Sequence, residues 1–355
     1  MEAGVFEPVE TELAIDADDI VLATGSRPLA LPGNPFAGAL IDSTQALELN
    51  TLPSSAVIIG AGAVALEFAS LWNAAGCEVT LLIRKDRVLS TWERRASMTL
   101  TRELKRRGVN VIARTAVDRV DTGANLGATV HYRQGDSDED RTAYGEVVLA
   151  AIGRVPNTDA DWFRSSGLKL DERGYVTVDG YGRTNLDGVW ALGDITPGHA
   201  LAHRAFEQGI TIAEKIAGAD PKPVIDDTVP QVVFSFPEAA SVGLTLDQAK
   251  AREDVVEPKE TAYPMLSNAR MLMSGEGGSM TVVSGAFANN PDMQVVLGVH
   301  IVSPIASDLI AEAEQLVGNR VPLADAARLI HPHPTFSETL GEALLKADGR
   351  PLHTR

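Results

Sequence analysis

Hydrophobic runs and helical spacings divide the chain into a region of alternating strands and helices and a later region of mixed strands and helices. Residues 56–59 (AVII) are apolar throughout and read as a buried strand. The run breaks at Gly60-Ala61-Gly62-Ala63-Val64-Ala65, a helical stretch follows to about Ala75, and after Gly76 comes a second buried strand over 79–83. Two buried strands joined by a glycine turn and a helix form a βαβ unit, which calls for a parallel sheet. A helix over 96–107 and a strand over 109–113 continue the doubly wound pattern. Residues 114–149 read as antiparallel strands with a polar tip at 136–141, followed by an apolar strand over 147–152.

Upstream, the first twenty residues alternate weakly and end in a β-rich run over 20–23, stopped by Thr24-Gly25-Ser26-Arg27-Pro28. A strand running into small residues and a proline reads as a strand end lining a crevice. Residues 29–53 are loop-rich, with a short helix over 43–49 that Ser43 can cap. Downstream, strand and loop reach Asp194, a helix spans 200–217, and 221–230 is the linker. Residues 231–302 then read as strands with one helix near 246–253, and 305–318 and 322–329 as helices. The predicted class is α/β, with doubly wound Rossmann-type nucleotide-binding domains and a C-terminal α+β domain.

Composition narrows the function. A chain of 355 residues with 45% apolar and 22% charged residues builds two or three buried cores and is not disordered, collagenous or coiled-coil. The net charge of −17 argues against nucleic acid, whose phosphates need a basic face. One cysteine excludes a disulfide framework and fits a reducing cytoplasm. Neither a membrane-spanning apolar run nor a signal peptide is expected, since the N-terminal stretch is acidic.

Three segments carry chemistry. Gly60 permits a tight turn after a strand, and Gly62 lets backbone approach a pyrophosphate that the helix N-terminus attracts. Ala65 stands where a third glycine is usual. An NAD site wants a carboxylate at the end of the second strand; this chain has Ile83 there, then Arg84, Lys85 and Arg87. That cluster suits the 2′-phosphate of NADP, or is simply a solvated basic loop. The second segment ends in Gly193-Asp194, a carboxylate at a strand's C-terminal edge that can accept from a ribityl or ribose hydroxyl, or serve as a turn or cap. The third is His331-Pro332-His333-Pro334-Thr335-Phe336-Ser337-Glu338. His333, five residues before a carboxylate, can be oriented by Glu338 and kept basic as a general acid/base, or be structural. No further ligand-rich segment supports a metal, and none is expected. Nothing near Cys77 would activate a thiolate, so it has no expected role.

Together these motifs resemble the pyridine nucleotide–disulfide oxidoreductases, the flavoprotein family that includes dihydrolipoyl dehydrogenase and glutathione reductase. The resemblance runs through VLATGSRP at 21–28, VIIGAGAVALEFA at 57–69, AAIGRVPNT at 150–158, Gly193-Asp194, LAHRAFEQG at 201–209, FPEAASVGLT at 236–245 and HPHPTFSE at 331–338. The last looks most like dihydrolipoyl dehydrogenase. Arg84 with Asp86 and Arg87 looks more like the NADP-using reductases, whose second phosphate-binding arginine would fall on Ser90. The resemblance implies FAD and NAD(P) as cofactors, a small thiol, disulfide or lipoyl substrate, and a homodimer. Thr24, Gly25 and Ser26 would approach FAD, and Asp194 beside Gly193 would hold its ribityl chain. Ala200, Leu201, Ala202 and His203 would line the flavin. Glu67 would sit near the nicotinamide, Gly153 beneath the nicotinamide nucleotide, and Val117 against the adenosine. His333 would be the acid/base for the thiol and Glu338 its orienting partner. Residues 1–33 and 150–222 would be the remainder of an FAD-binding domain, 34–149 the NAD(P)-binding domain, and 225–355 the dimerisation domain. The family opens with its own FAD-binding GxGxxG and a CxxxxC redox disulfide, and this chain is expected to start after both. It is therefore expected to hold FAD poorly and to be inactive alone as a disulfide reductase. A quinone-type reductase of the same family, or a non-catalytic dinucleotide-binding dimer, are the alternatives.

Overall fold

The computed structural model describes residues 15–123 and 127–354. Packing gathers them into two compact units, one formed by the chain up to Ser26 with Pro156–Val224, the other by Arg27–Val155 with Ile225–Arg355. Most of the alternation expected in the first twenty residues lies outside the described residues.

The elements follow in chain order. A first strand, β1 (Ile20–Leu22), is followed by β2 (Leu40–Ile41), α1 (Ser43–Leu47) and β3 (Ser55–Ile59). Next come α2 (Ala63–Ala74), β4 (Glu78–Ile83), α3 (Arg94–Arg106) and β5 (Asn110–Ala113). Three strands then form an antiparallel layer, β6 (Thr115–Asp121), β7 (Ala128–Gln134) and β8 (Arg141–Gly145), before β9 (Val147–Ala150) returns to the main sheet. The sheet order is β2-β9-β3-β4-β5, parallel throughout. Val57 and Ile58 are fully buried, because a parallel strand covered on both faces has no solvent side. That is why the run at 56–59 is apolar without alternation. Helix α2 buries Ala65, Leu66, Phe68, Ala69 and Trp72 in the same core.

The chain then forms α4 (Asp161–Ser165), β10 (Val189–Ala191) and α5 (Ala202–Ile216) in the first unit, where β10 pairs in parallel with β1. The C-terminal part contributes β11 (Gln231–Val233), β12 (Glu238–Gly243), α6 (Leu246–Ala251), β13 (Val255–Tyr263), α7 (Ala269–Ser274), β14 (Ser279–Phe287) and β15 (Asn290–Ser303). It closes with α8 (Ala306–Gly318), α9 (Leu323–Ala326) and α10 (Glu338–Ala347). Its sheet, β11-β12-β15-β14-β13, is antiparallel, with α8 against β12 and β15, and α10 against β13 and β14.

Several boundaries differ from the sequence expectation. Asp42, not Ser43, caps α1, in a reciprocal capping box with Gln45. Helix α3 starts at Arg94 because the buried Glu93 carboxylate accepts from the amides of Arg95 and Ala96 at 2.6 and 2.7 Å. Glutamate is not a usual cap, so that start left no familiar signal. The helix expected over 322–329 is confined to Leu323–Ala326, and the expected strand over 147–152 ends at Ala150.

Candidate functional site

A cavity of about 690 Å³ opens at the C-terminal ends of the parallel strands, lined by Ile59 of β3, Leu82 of β4 and Ala150 of β9. This is the edge of an open α/β sheet where ligands are held. One wall is the turn Gly60-Ala61-Gly62 and the first residues of α2. Gly60 has φ +143°, and a Cβ there would run into the Ala151 carbonyl and sit 3.4 Å from the Ala65 Cβ. A side chain at Gly60 would therefore push β3 and β9 apart. Gly62 is different: a Cβ there meets nothing within 4 Å and would project into free space. Gly62 is also the N-cap of α2, and no side chain caps that end. The first-turn amides of a twelve-residue helix thus lack intrahelical partners where the cavity is. That cradle fits a pyrophosphate, both sterically and through the helix dipole.

The cavity's polar lining is Ser43, Arg84, Lys85, Ser90, Thr115 and Arg154, and its apolar lining includes Leu29, Val117 and Ile152. Gly153 also lines it. Of the basic cluster read from the sequence, Arg87 is already engaged within the loop. Its guanidinium bonds Asp86 at 2.9 Å and the Ser90 carbonyl at 3.2 Å, and it does not line the cavity. Arg84 and Lys85 remain, both exposed. Ala65 is fully buried behind the turn rather than on the cavity wall. Glu67 is absent from the lining; its carboxylate accepts from the Phe234 amide at 3.0 Å. One turn further along α2, Ser70 Oγ accepts from the Phe236 amide at 3.1 Å. No local pattern announced that attachment, which joins residues 166 and 167 apart in sequence. Ser43, Leu29 and Thr115 were missed for the same reason.

In the other unit, Thr24 Oγ1 donates to the Asn157 carbonyl at 2.9 Å, and the Asn157 amide donates to the Gly25 carbonyl at 2.9 Å. Ser26 Oγ donates to Asp194 Oδ2 at 2.5 Å. Asp194 stands just beyond β10, and the Gly193 amide donates to Gln208 Oε1 of α5 at 2.8 Å. Thr24, Gly25, Ser26, Gly193 and Asp194 are thus brought together. Ala200 precedes α5, Leu201 is its N-cap without a side-chain cap bond, and Ala202 and His203 are its exposed first residues. A half-buried carboxylate beside a hydroxyl and small residues fits the hydroxyl groups of a flavin dinucleotide.

The third constellation is in the C-terminal part. His333 is 75% exposed at its side chain, and its Nδ1 lies 2.8 Å from Glu338 Oε1. Glu338 Oε2 accepts from the Thr335 amide at 2.8 Å, which fixes the carboxylate at the first residue of α10. Partial burial pushes the Glu338 carboxyl up, but the Thr335 amide, the His333 hydrogen bond and the charges of His333 and His331 outweigh it. The net shift is downward, so the group stays ionised. An ionised carboxylate on Nδ1 leaves Nε2 of an exposed imidazole available for proton transfer. Cys77 is buried, and its thiol is pushed up to about 11 by burial and by Glu146 and Glu78, which removes it from thiolate chemistry.

Among the described residues no group of His, Cys, Asp and Glu side chains could hold a metal ion, and no helix is long and apolar enough to cross a membrane.

A family model described as pyridine nucleotide-disulphide oxidoreductase matches residues 3–209, and the dimerisation domain of that family matches 229–344. The dihydrolipoyl dehydrogenase of Cupriavidus necator is 36% identical over 342 residues, 96% of this chain and 70% of that protein. The dihydrolipoyl dehydrogenase of Geobacillus stearothermophilus is 37% identical over 339 residues, covering 94% and 69%. Among solved structures, LpdA from Mycobacterium tuberculosis superposes with a TM-score of 0.82 at 29% identity, covering 93% of this chain and 70% of that one. The HOCl-induced flavoprotein disulfide reductase RclA from Escherichia coli superposes at 0.79 with 24% identity, over 92% and 73%, a likeness of fold alone.

Proposed function

This chain belongs to the pyridine nucleotide–disulphide oxidoreductase family, whose members use FAD and NAD(P), and from that premise we propose that it works as a dihydrolipoyl dehydrogenase-like oxidoreductase. In such a reaction a dithiol closes to a disulfide and gives up two electrons and two protons; NAD(P)⁺ takes a hydride and one proton passes to water. FAD, when bound, supplies the two-electron relay between the two. The observation that carries the thiol reading is the 2.8 Å pair of His333 with Glu338 on an exposed imidazole. A thiol substrate needs a base to take its proton and an acid to return it, and Glu338 holds the imidazole in the orientation for both.

The remaining roles follow as parts of this proposal. Gly60, Gly62 and the start of α2 bind the pyrophosphate of NAD(P), with Ala65 packed behind the turn and Val117 and Gly153 along the cavity. Arg84 and Lys85 recognise a 2′-phosphate, which makes NADP(H) at least as good a partner as NAD(H). Thr24, Gly25, Ser26, Gly193, Asp194 and residues 200–203 serve FAD. Residues 34–149 form the NAD(P)-binding domain, though its cavity also draws on 28–32 and 150–154. Residues 1–33 with 150–222 belong to the FAD-binding part, and 225–355 form the interface of a homodimer. Glu67, whose carboxylate accepts from the Phe234 amide, sits near the nicotinamide in this proposal.

A second reading within the same family is electron transfer from NAD(P)H to a quinone-type acceptor. Cys77 is buried with its thiol pushed up to about 11, so it is no part of a redox dithiol in either reading. Two assays of the full protein separate the readings, one with a lipoyl disulfide, the other with a quinone or dye. The dihydrolipoyl reading expects His333→Gln to impair the first and spare the second. Equal turnover of wild type and variant with the disulfide favours the quinone reading.

A further inference from the structure

Two residues before His333, a second imidazole is held between two helices. His331 Nε2 lies 2.8 Å from Glu312 Oε1 on α8, and 9% of the His331 side chain is exposed. On its other side the ring meets α10 at Gly341, where any Cβ would collide with Nδ1. The ring is thus gripped by a carboxylate on one helix and a gap in the next. Beyond it, Thr335 is anchored three ways: its amide donates to Glu338 Oε2 at 2.8 Å, its hydroxyl to the Pro332 carbonyl at 2.6 Å, and its carbonyl accepts from Asn268 Nδ2 at 3.0 Å. Between these anchors His333 stands exposed, without packing of its own to fix its ring. Precision at such a side chain rests on its Glu338 hydrogen bond and on the backbone that carries it.

We propose that Glu312, His331 and Gly341 form a clamp that fixes the His333 loop against Glu338, so that His331 is a positioning residue for the proton transfer at His333. The proposal rests on the thiol reading above for its purpose, though not for its geometry. It carries a pH signature. The Glu312 hydrogen bond, opposed by burial and reinforced by the charges of Glu312 and Glu338, raises the His331 pKa above its ordinary value of 6.5. A raised histidine contributes fully below 6.5 and is lost as pH rises through its folded-state value. The lowered Glu338, the other charged group facing the ring, contributes above 4.5 and is lost only as pH falls through its own lower value. The loop is therefore held at mildly acid pH and loosens on the alkaline side.

Amide hydrogen exchange on the full chain, corrected for intrinsic rates, tests this without flavin or thiol. In the wild type the protection of the Thr335 amide should fall in step with the deprotonation of His331 followed by NMR. At mildly acid pH, His331→Ala and Glu312→Gln should exchange that amide about tenfold faster or more, as loss of a charge-assisted hydrogen bond implies. Neither variant should show the pH step. His331→Gln, which keeps an N–H donor, should recover part of the protection, also without the step. Amides of β15 serve as the control for folding. Protection at Thr335 that is unchanged in folded variants, or that ignores the titration of His331 in the wild type, would overturn the clamp. A clamp that behaves as expected in a chain whose thiol turnover is indifferent to His333 would instead overturn the thiol reading alone.

Discussion

A carboxylate that accepts from both a backbone amide and an imidazole, as Glu338 does from Thr335 and His333, is ionised and fixed before any substrate arrives. In the full protein, His333→Gln is expected to lower disulfide-dependent turnover by about 10²–10⁴, the usual contribution of a general acid/base. Glu338→Gln should cost less, since it removes orientation and charge but leaves the imidazole. Hydride transfer from NAD(P)H to a dye should change little in either, and a similar loss in both assays would mean the segment is structural. The pair was legible in sequence because its five-residue spacing is local and two prolines limit the backbone. The Glu312 contact to His331 was not, because residues 19 apart meet only through the packing of α8 against the loop. The partners of Arg87 were hidden for a related reason: a sequence shows a positive charge but not that Asp86 and the Ser90 carbonyl bond it.

At the scale of elements, the turn into α2 separates two demands on glycine. Gly62→Val places a side chain where the backbone has free space, so Tm is expected to stay near wild type while NAD(P)(H) affinity falls at least tenfold, ~1.4 kcal/mol. Gly60→Ala forces a positive φ and a collision with the Ala151 carbonyl, and should destabilise the fold by about 2 kcal/mol or more. Chemical denaturation and isothermal titration of the two variants check both. The strands bracketing this turn were readable because full burial leaves an unbroken apolar run, and the turn because glycines interrupt it. Helices α4 and α7, with five and six residues, are too short to display a 3.6-residue period and were not foreseen, whereas the equally short α1 and α6 were expected. The antiparallel layer β6–β8 was visible through its alternation, whereas the order of the main sheet, with β9 inserted beside β3, depends on pairings that no local pattern records.

Across the whole molecule, stability should depend on pH through a histidine that takes no part in the chemistry. His300 is fully buried on β15, its Nδ1 2.7 Å from Ser241 Oγ and its Nε2 3.2 Å from the Leu244 carbonyl. Burial lowers its pKa, opposed by Glu93 and the Leu244 carbonyl, so it is held neutral. The unfolded chain protonates this residue near 6.5, so its contribution is present above that value and is lost as pH falls. Tm should therefore drop as pH falls from about 7.5 to about 5.5, and His300→Gln should begin lower but fall less steeply. The central claim, that the cavity at the end of the parallel sheet holds a nicotinamide dinucleotide read by Arg84 and Lys85, is tested most directly by titrating the intact chain with NADPH and NADH. The expected result is saturable binding at one site per chain, with NADPH at least as tight as NADH and a loss of that advantage in Arg84→Ala/Lys85→Ala. Absence of saturable binding, or a preference for NADH of tenfold or more, ~1.4 kcal/mol, would contradict it.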